Sequence, residues 1–152
     1  MRLDSDEVVL TPPGGRSRRV VMLDDDPTQL RIHTRVVQRL APGVNLTSFT
    51  DPAQAVDAVL EEPPRLVITD FNMPSLDGIA VCERLRAVAA TVVLVSGELN
   101  LELRLAAKAA GAAACFPKPF DIIEIFSFFG VLGPRSEPIG VSLSFQREVG
   151  AH

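Results

Sequence analysis

Apolar positions along the chain follow two rhythms. Short continuous apolar runs alternate with longer stretches in which apolar residues recur every three to four positions. Arg19–Leu23 (RVVML) predicts a buried strand. Pro27–Leu40 predicts a helix, with Leu30, Val36, Val37 and Leu40 on one side and Arg31, Arg35 and Arg39 on the other. Pro27 suits a first helical turn and Asp26 suits the cap before it. Ala41-Pro42-Gly43 ends that helix, and 44–49 reads as a second strand. Asp51 then caps a helix that starts at Pro52, carries Ala55, Val56, Val59 and Leu60, and stops at Pro63-Pro64.

The alternation continues. Residues 66–69 form a third strand and 76–88 a helix with Ile79, Val81, Cys82 and Leu85 apolar. A fourth strand spans 91–95, and an alanine-rich helix over 100–110 ends at Gly111. A weak fifth strand spans 112–116, and a final helix over 121–132 stops at Gly133-Pro134. Strands alternating with helices predict an α/β fold, a parallel sheet covered on both faces. Residues 1–17, punctuated by Pro12-Pro13-Gly14-Gly15, read as an N-terminal tail, 18–133 as one domain, and 134–152 as a C-terminal tail. Val141, Leu143 and Phe145 alternate in that tail, which suits a short strand or a partner-binding segment. No internal repeat is evident.

Composition narrows the class. The chain has 152 residues, 47% hydrophobic and 22% charged, enough for one globular domain with a core. The net charge of −4 argues against nucleic acid as a direct partner, because phosphate binding needs a basic face. The one basic run, Arg16-Ser17-Arg18-Arg19, reads as a solvated flank of the first strand. Nothing resembles a signal peptide, and no run approaches the ~18 apolar residues of a membrane span. A cytoplasmic protein is therefore expected. Cys82 and Cys115 lie in apolar surroundings without metal-ligand spacing and read as free thiols.

In parallel α/β sheets the working site lies beyond the carboxyl ends of the strands, where strand order reverses. The polar residues of this chain obey that rule. Asp24, Asp25 and Asp26 follow the first strand, Asp70 the third, Ser96 the fourth and Lys118 the fifth. Crowded carboxylates repel unless a cation sits among them. Oxygen-only donors suit Mg²⁺, which takes one or two carboxylates plus a phosphate oxygen. An Asp beside such an ion can accept a phosphoryl group, while a Lys ammonium and a hydroxyl or backbone N–H take the other equatorial oxygens. Asp25, Asp70, Ser96 and Lys118 supply those parts.

With these motifs in order, the chain resembles the receiver domain of two-component response regulators over about residues 18–133. The resemblance implies a flavodoxin-like, doubly wound, five-stranded parallel sheet of order 2-1-3-4-5 with helices on both faces. It implies that Asp70, within TDFNMPSLDG, is the phosphoacceptor. Asp25 would bind Mg²⁺ directly, Asp24 mainly through water, and Asn72 through its backbone carbonyl. Ser96, followed by Gly97, falls on the switch hydroxyl that binds phosphate together with Lys118. The Lys118-Pro119 bond would be cis, and Asn72 and Glu98 fall on positions that tune dephosphorylation. Two departures stand out. The family's switch aromatic is replaced by Cys115, and Phe116 points to the opposite face of its strand by alternation. The stretch between Leu85 and Val92 is short for the family.

The implied function is a stand-alone phosphoreceiver, not an enzyme beyond weak self-dephosphorylation. It would take phosphoryl from a sensor histidine kinase or phosphotransfer protein. The short segment after 133 leaves no room for a DNA-binding output domain, so output is expected through protein contacts of the 99–133 face or phosphate relay. His33, without a motif around it, reads as a partly exposed structural histidine. The final helix, with Ile122, Ile123, Ile125, Phe126, Phe128, Phe129, Val131 and Leu132, is apolar around most of its circumference. An exposed apolar patch there predicts a homodimer through 121–132, or a downstream protein target, unless the C-terminal tail covers it. Two other functions compete. One is a phosphorylation-independent adaptor, suggested by Cys115. The other is a haloacid-dehalogenase-like phosphatase, with Asp24 as nucleophile in Asp24-x-Asp26-x-Thr28 and Ser96 as its second motif, though no late acidic pair follows Lys118.

Overall fold

The computed structural model describes residues 18–132. The proposed tails, with Val141, Leu143 and Phe145, and the Gly133-Pro134 stop lie outside the described residues. Five strands, β1 (Arg19–Leu23), β2 (Asn45–Phe49), β3 (Leu66–Asp70), β4 (Thr91–Ser96) and β5 (Ala114–Pro117), form one sheet. Its order is β2-β1-β3-β4-β5 and every pairing is parallel, the topology expected. The helices are α1 (Pro27–Leu40), α2 (Pro52–Glu61), α3 (Gly78–Arg84), α4 (Leu101–Ala110) and α5 (Ile122–Phe128).

Strand alternation divides the core in two. Val20 and Met22 of β1, Leu66 and Ile68 of β3, and Val93 and Val95 of β4 face α1 and α5. Val21, Leu23, Val67, Val92 and Leu94 face α2, α3 and α4. All five residues of β3 are buried, as a strand covered on both faces requires. Every helix starts from an Asp or Asn whose side chain accepts a backbone N–H of the first turn: Asp26, Asp51, Asp77, Asn100 and Asp121. Those caps fix where each helix leaves the site-bearing rim.

Two helices are shorter than their apolar periodicity predicts. In α3, the Asp77 carboxylate accepts the Ala80 N–H at 2.9 Å, which makes Asp77 the cap and starts the helix at Gly78 rather than at 76. The helix ends at Arg84, and 85–88 form turns. In α5, Gly130 takes a positive φ of 70°, the Val131 N–H reaches back to the Phe126 carbonyl at 2.9 Å, and the Gly130 N–H reaches Ser127 at 3.2 Å. This pair of bonds closes the helix, with Val131 and Phe126 both buried beside each other's turn.

The same closure corrects the expected apolar patch. Ile122, Ile125, Phe126 and Val131 are buried, and Ile123, Phe129 and Leu132 pack half-buried against the core. Only Phe128 of that set is broadly exposed, at 71%. Two further exposed leucines of the 99–133 segment, Leu101 and Leu105, lie on α4. Among the described residues no helix is long and apolar enough to cross a membrane.

Candidate phosphoryl-transfer site

Parallel strands end together, so the residues that follow β1, β3, β4 and β5 meet on one rim. Asp24 leaves β1 with its N–H still bonded to the Phe49 carbonyl of β2, at 3.1 Å, so its position is set by the sheet. One of its carboxylate oxygens accepts the Asp26 N–H at 2.9 Å. Asp26 itself accepts the Thr28 N–H at 2.9 Å and caps α1. The three consecutive acids thus have separate surroundings: Asp24 is 2% exposed, Asp25 is exposed, and Asp26 holds the helix.

Asp70, the last residue of β3, is 5% exposed. Phe71 donates to Val95 at 2.9 Å and Gly78 to Phe71 at 3.0 Å, which folds the 71–77 loop back over the sheet end. That fold needs glycine at 78. A Cβ there would stand 2.7 Å from the Asp70 carbonyl oxygen and 2.9 Å from Phe71 Cα, both backbone atoms.

Lys118 completes the centre. Its Nζ lies 3.2 Å from Asp70 Oδ1 and 3.3 Å from Asp24 Oδ2. Its backbone N–H donates to the Ser96 carbonyl at 2.9 Å, and the Lys118-Pro119 bond is cis. Burial opposes the ammonium charge, but Asp24 and Asp70 outweigh it and push the Lys118 pKa up. Burial also raises the Asp70 pKa; Lys118 pulls it down, the Asp24 charge adds to the rise, and a backbone bond from Asn72 lowers it again.

Asp24, Asp25 and Asp70 each offer a carboxylate oxygen, and these oxygens lie within 4.8 Å of one another. Three carboxylates face one ammonium, and every donor is oxygen. That set fits a hard divalent cation such as Mg²⁺, which would offset the remaining negative charge.

Ser96 is 1% exposed at the end of β4, and its Oγ accepts the Glu98 N–H at 3.1 Å. Gly97 and Glu98 are exposed, and a Cβ at Gly97 would meet nothing within 4 Å. A cleft of about 410 Å³ runs beside Ser96, lined also by Asn72, Asp77, Glu98, Asn100 and Leu103. Asn72 is exposed at its mouth. Cys115 packs into the core under α3 and α4, whereas its neighbour Phe116 packs on the α5 side, edge-on to Phe128 with ring centres 6.4 Å apart. Phe116 is therefore on the opposite face from Cys115. Burial pushes the Cys82 thiol up to about 12 and also raises that of half-buried Cys115, so both free thiols are protonated near neutrality.

His33 differs from its expected partly exposed setting. It is buried, at 9% exposure, and its ring stacks on Phe120 with centres 4.6 Å apart and planes 3° from parallel. No local signal in the sequence joins these two residues, because the contact is made by packing α1 against the segment after β5.

The response regulator receiver domain family model matches residues 20–129. The transcriptional regulatory protein PrrA of Mycobacterium tuberculosis is 33% identical over 119 residues, covering 74% of this chain and 48% of that protein. The DNA-binding transcriptional regulator NtrC of Escherichia coli K12 is 30% identical over 111 residues, covering 70% of this chain and 23% of its own length. The chain thus spans about half or less of these curated relatives. Among solved structures, the signal receiver domain of the response regulator NarL from Mycobacterium tuberculosis superposes with a TM-score of 0.69 at 26% identity, covering 78% of this chain and 99% of that one.

Proposed function

The chain belongs to the response regulator receiver family, and from that premise we propose that Asp70 accepts a phosphoryl group from a histidine kinase or a phosphotransfer protein. The observation that carries this reading is the Lys118 ammonium held between two buried carboxylates, 3.2 Å from Asp70 and 3.3 Å from Asp24. Lys118 opposes the upward pull of burial on the Asp70 carboxyl and so favours the carboxylate form, whose oxygen is the nucleophile. That oxygen forms the new bond to phosphorus as the phosphorus–nitrogen bond of the donor's phosphohistidine breaks.

Asp24, Asp25 and Asp70, with the Asn72 carbonyl, would hold Mg²⁺. When bound it supplies charge neutralisation for the phosphoryl oxygens. The chain's own residues do the rest. Lys118 is free to follow a phosphoryl oxygen once Asp70 carries the acyl phosphate, and the Ser96 hydroxyl stands at the end of the neighbouring strand. Asn72 and Glu98, at the mouth of the adjoining cleft, control the approach of the water that hydrolyses the acyl phosphate. Phosphorylation then shifts an equilibrium of the Ser96 loop and the 99–133 face, where Leu101, Leu105 and Phe128 offer exposed apolar contact to a target protein or a second copy.

A second reading is favoured by Cys115, which leaves β5 without an aromatic side chain on the α4 side. In it the chain signals as an adaptor regardless of phosphorylation. A phosphatase with Asp24 as nucleophile is disfavoured, since Asp24 is buried and engaged by Lys118 and the Asp26 N–H.

The test is intact-protein mass after incubation with Mg²⁺ and acetyl phosphate. A single phosphoryl adduct, absent in Asp70→Asn and blocked by EDTA, is expected. Full Mg²⁺ binding without an adduct, from acetyl phosphate or from a phosphorylated histidine donor, would overturn the reading in favour of the adaptor.

A further inference from the structure

Helix α1 turns three residues into the core, Leu30, His33 and Val37, at the spacing of one helix face. Two are aliphatic and one is an imidazole. The His33 Nδ1 lies 3.0 Å from the Gln29 carbonyl of the preceding turn. A carbonyl only accepts, so Nδ1 carries the proton and Nε2 presents a lone pair. Among the described residues no hydrogen-bond partner meets Nε2. A histidine kept only to fill the core would need neither a parallel ring beneath it nor this position.

That parallel ring is Phe120, two residues beyond Lys118. Between them Pro119 has a fixed φ and no N–H, so few torsions separate the Phe120 ring from the Lys118 backbone. The segment is tied at its start by the Lys118 N–H to Ser96, 2.9 Å, and at its end by the Asp121 cap on Ile123, 2.9 Å. Between those two, Phe120 is held by its stack on His33 and by packing against the core. Its other side is α1, which begins at Asp26, immediately after Asp24 and Asp25. The stack therefore joins the element that follows the acid cluster to the segment that brings the ammonium to it.

We infer that His33 is a positioning residue for Lys118, acting through its stack on Phe120. This rests on Lys118 and Asp70 being the phosphoryl-transfer pair. The flat imidazole fixes both the depth and the tilt of Phe120, which an aliphatic side chain of similar size does not do. With the stack lost, the Lys118 ammonium samples positions away from Asp70 and Asp24, while the carboxylate cluster, held by β1 and β3, stays in place.

The experiment compares His33→Leu, which fills the space without a ring, with His33→Phe, which restores a ring. Acetyl-phosphate uptake is measured at saturating Mg²⁺, with Mg²⁺ affinity and thermal stability alongside. His33→Leu should slow uptake roughly tenfold, below the hundredfold of a 1 Å misplacement, with Mg²⁺ affinity unchanged. His33→Phe should recover most of the rate. In a Lys118→Ala background, His33→Leu should have no further effect. A wild-type rate in His33→Leu, or a slowing that persists without Lys118, would overturn the inference.

A second readout needs no phosphorylation. Lys118, labelled at Cε and followed by NMR relaxation, should become more mobile in His33→Leu and return to the wild-type value in His33→Phe. If the wild type takes no phosphoryl group but this mobility behaves as stated, the phosphoacceptor reading fails and the positioning role stands. An unchanged Lys118 mobility in His33→Leu overturns the positioning role in either case.

Discussion

Lys118 Nζ lies 3.2 Å from Asp70 Oδ1, closing a contact between the ends of β5 and β3 that β4 separates in the sheet. The ammonium reaches across β4 over the Ser96 end, so its removal should disturb charge rather than backbone. Lys118→Ala should lower phosphoryl uptake by about 10²- to 10³-fold, the range for losing one electrostatic contact to a developing transition state. Mg²⁺ binding should tighten, because a competing cation leaves the three carboxylates. Without Mg²⁺ the variant should be less stable by roughly 1–3 kcal/mol, from two buried carboxylates left unpaired. Uptake kinetics, Mg²⁺ titration and urea denaturation in EDTA check the three parts.

Asp70 has the opposite effect on the metal-free fold. Its pKa is raised above 3.8, mainly by burial. The folded state therefore binds more protons than the unfolded state between 3.8 and the raised value, and this contribution to stability falls as pH rises through that window. Above the window the ionised carboxylate is a net cost. Asp70→Asn should remove it and stabilise the metal-free protein at neutral pH. Added Mg²⁺ should stabilise the wild type more than the variant. Thermal denaturation with EDTA and then with Mg²⁺ tests this, and a less stable Asp70→Asn in EDTA counts against it.

Strand ends and caps were legible in the sequence because their signals are local. Asp-Pro at 26–27 and 51–52 announced the starts of α1 and α2, and the alternating runs gave the sheet. The placement of Asp24, Asp70, Ser96 and Lys118 after strands was enough to bring them to one rim. The end of α5 was not legible, because apolar periodicity runs on through Val131 and Leu132. What stops the helix is the fold-back of Val131 onto Phe126, which depends on the core beneath. The His33–Phe120 stack was hidden for a similar reason, since His33 alone reads as a partly exposed histidine and the contact depends on how α1 packs against the segment after β5.

His33 also makes stability depend on pH. Burial lowers its pKa below 6.5; the Gln29 carbonyl, Asp24 and Asp121 raise it, and Lys118 lowers it. The unfolded state binds more protons between the depressed value and 6.5, so stability falls as pH drops through 6.5 and is recovered above it. The slope should disappear in His33→Leu. Urea midpoints at about pH 5.5 and 7.5 measure it, and equal slopes in variant and wild type would discount this group.

Phe128 is the exposed aromatic of α5, with its ring edge-on to Phe116 and, at 4.9 Å, to Phe129. If the α5 face makes a homodimer, this ring is its anchor. Wild-type mass in sedimentation should rise with concentration, and Phe128→Ser should hold it at the monomer value. Folding stability should change little, by about 0.5 kcal/mol, because the side chain is 71% exposed. A wild type that stays monomeric at high concentration removes the dimer and leaves a target protein as the partner of this face.

Gly78 tests how tightly the Asp70 loop is built. A methyl group there meets the Asp70 carbonyl oxygen at 2.7 Å and Phe71 Cα at 2.9 Å, and neither is a side chain that can rotate away. Relief requires the 71–77 loop to move off the sheet end, breaking the Gly78 N–H to Phe71 bond or shifting Asp70 itself. Gly78→Ala should cost about 1–3 kcal/mol, as overpacking does, despite alanine's better helix propensity at the start of α3. Phosphoryl uptake should fall with it, because the Asp70 carboxylate moves relative to Lys118. An alanine variant as stable as the wild type would mean that the loop is looser than these distances imply. A stable variant with slow uptake would place the whole effect on the position of Asp70.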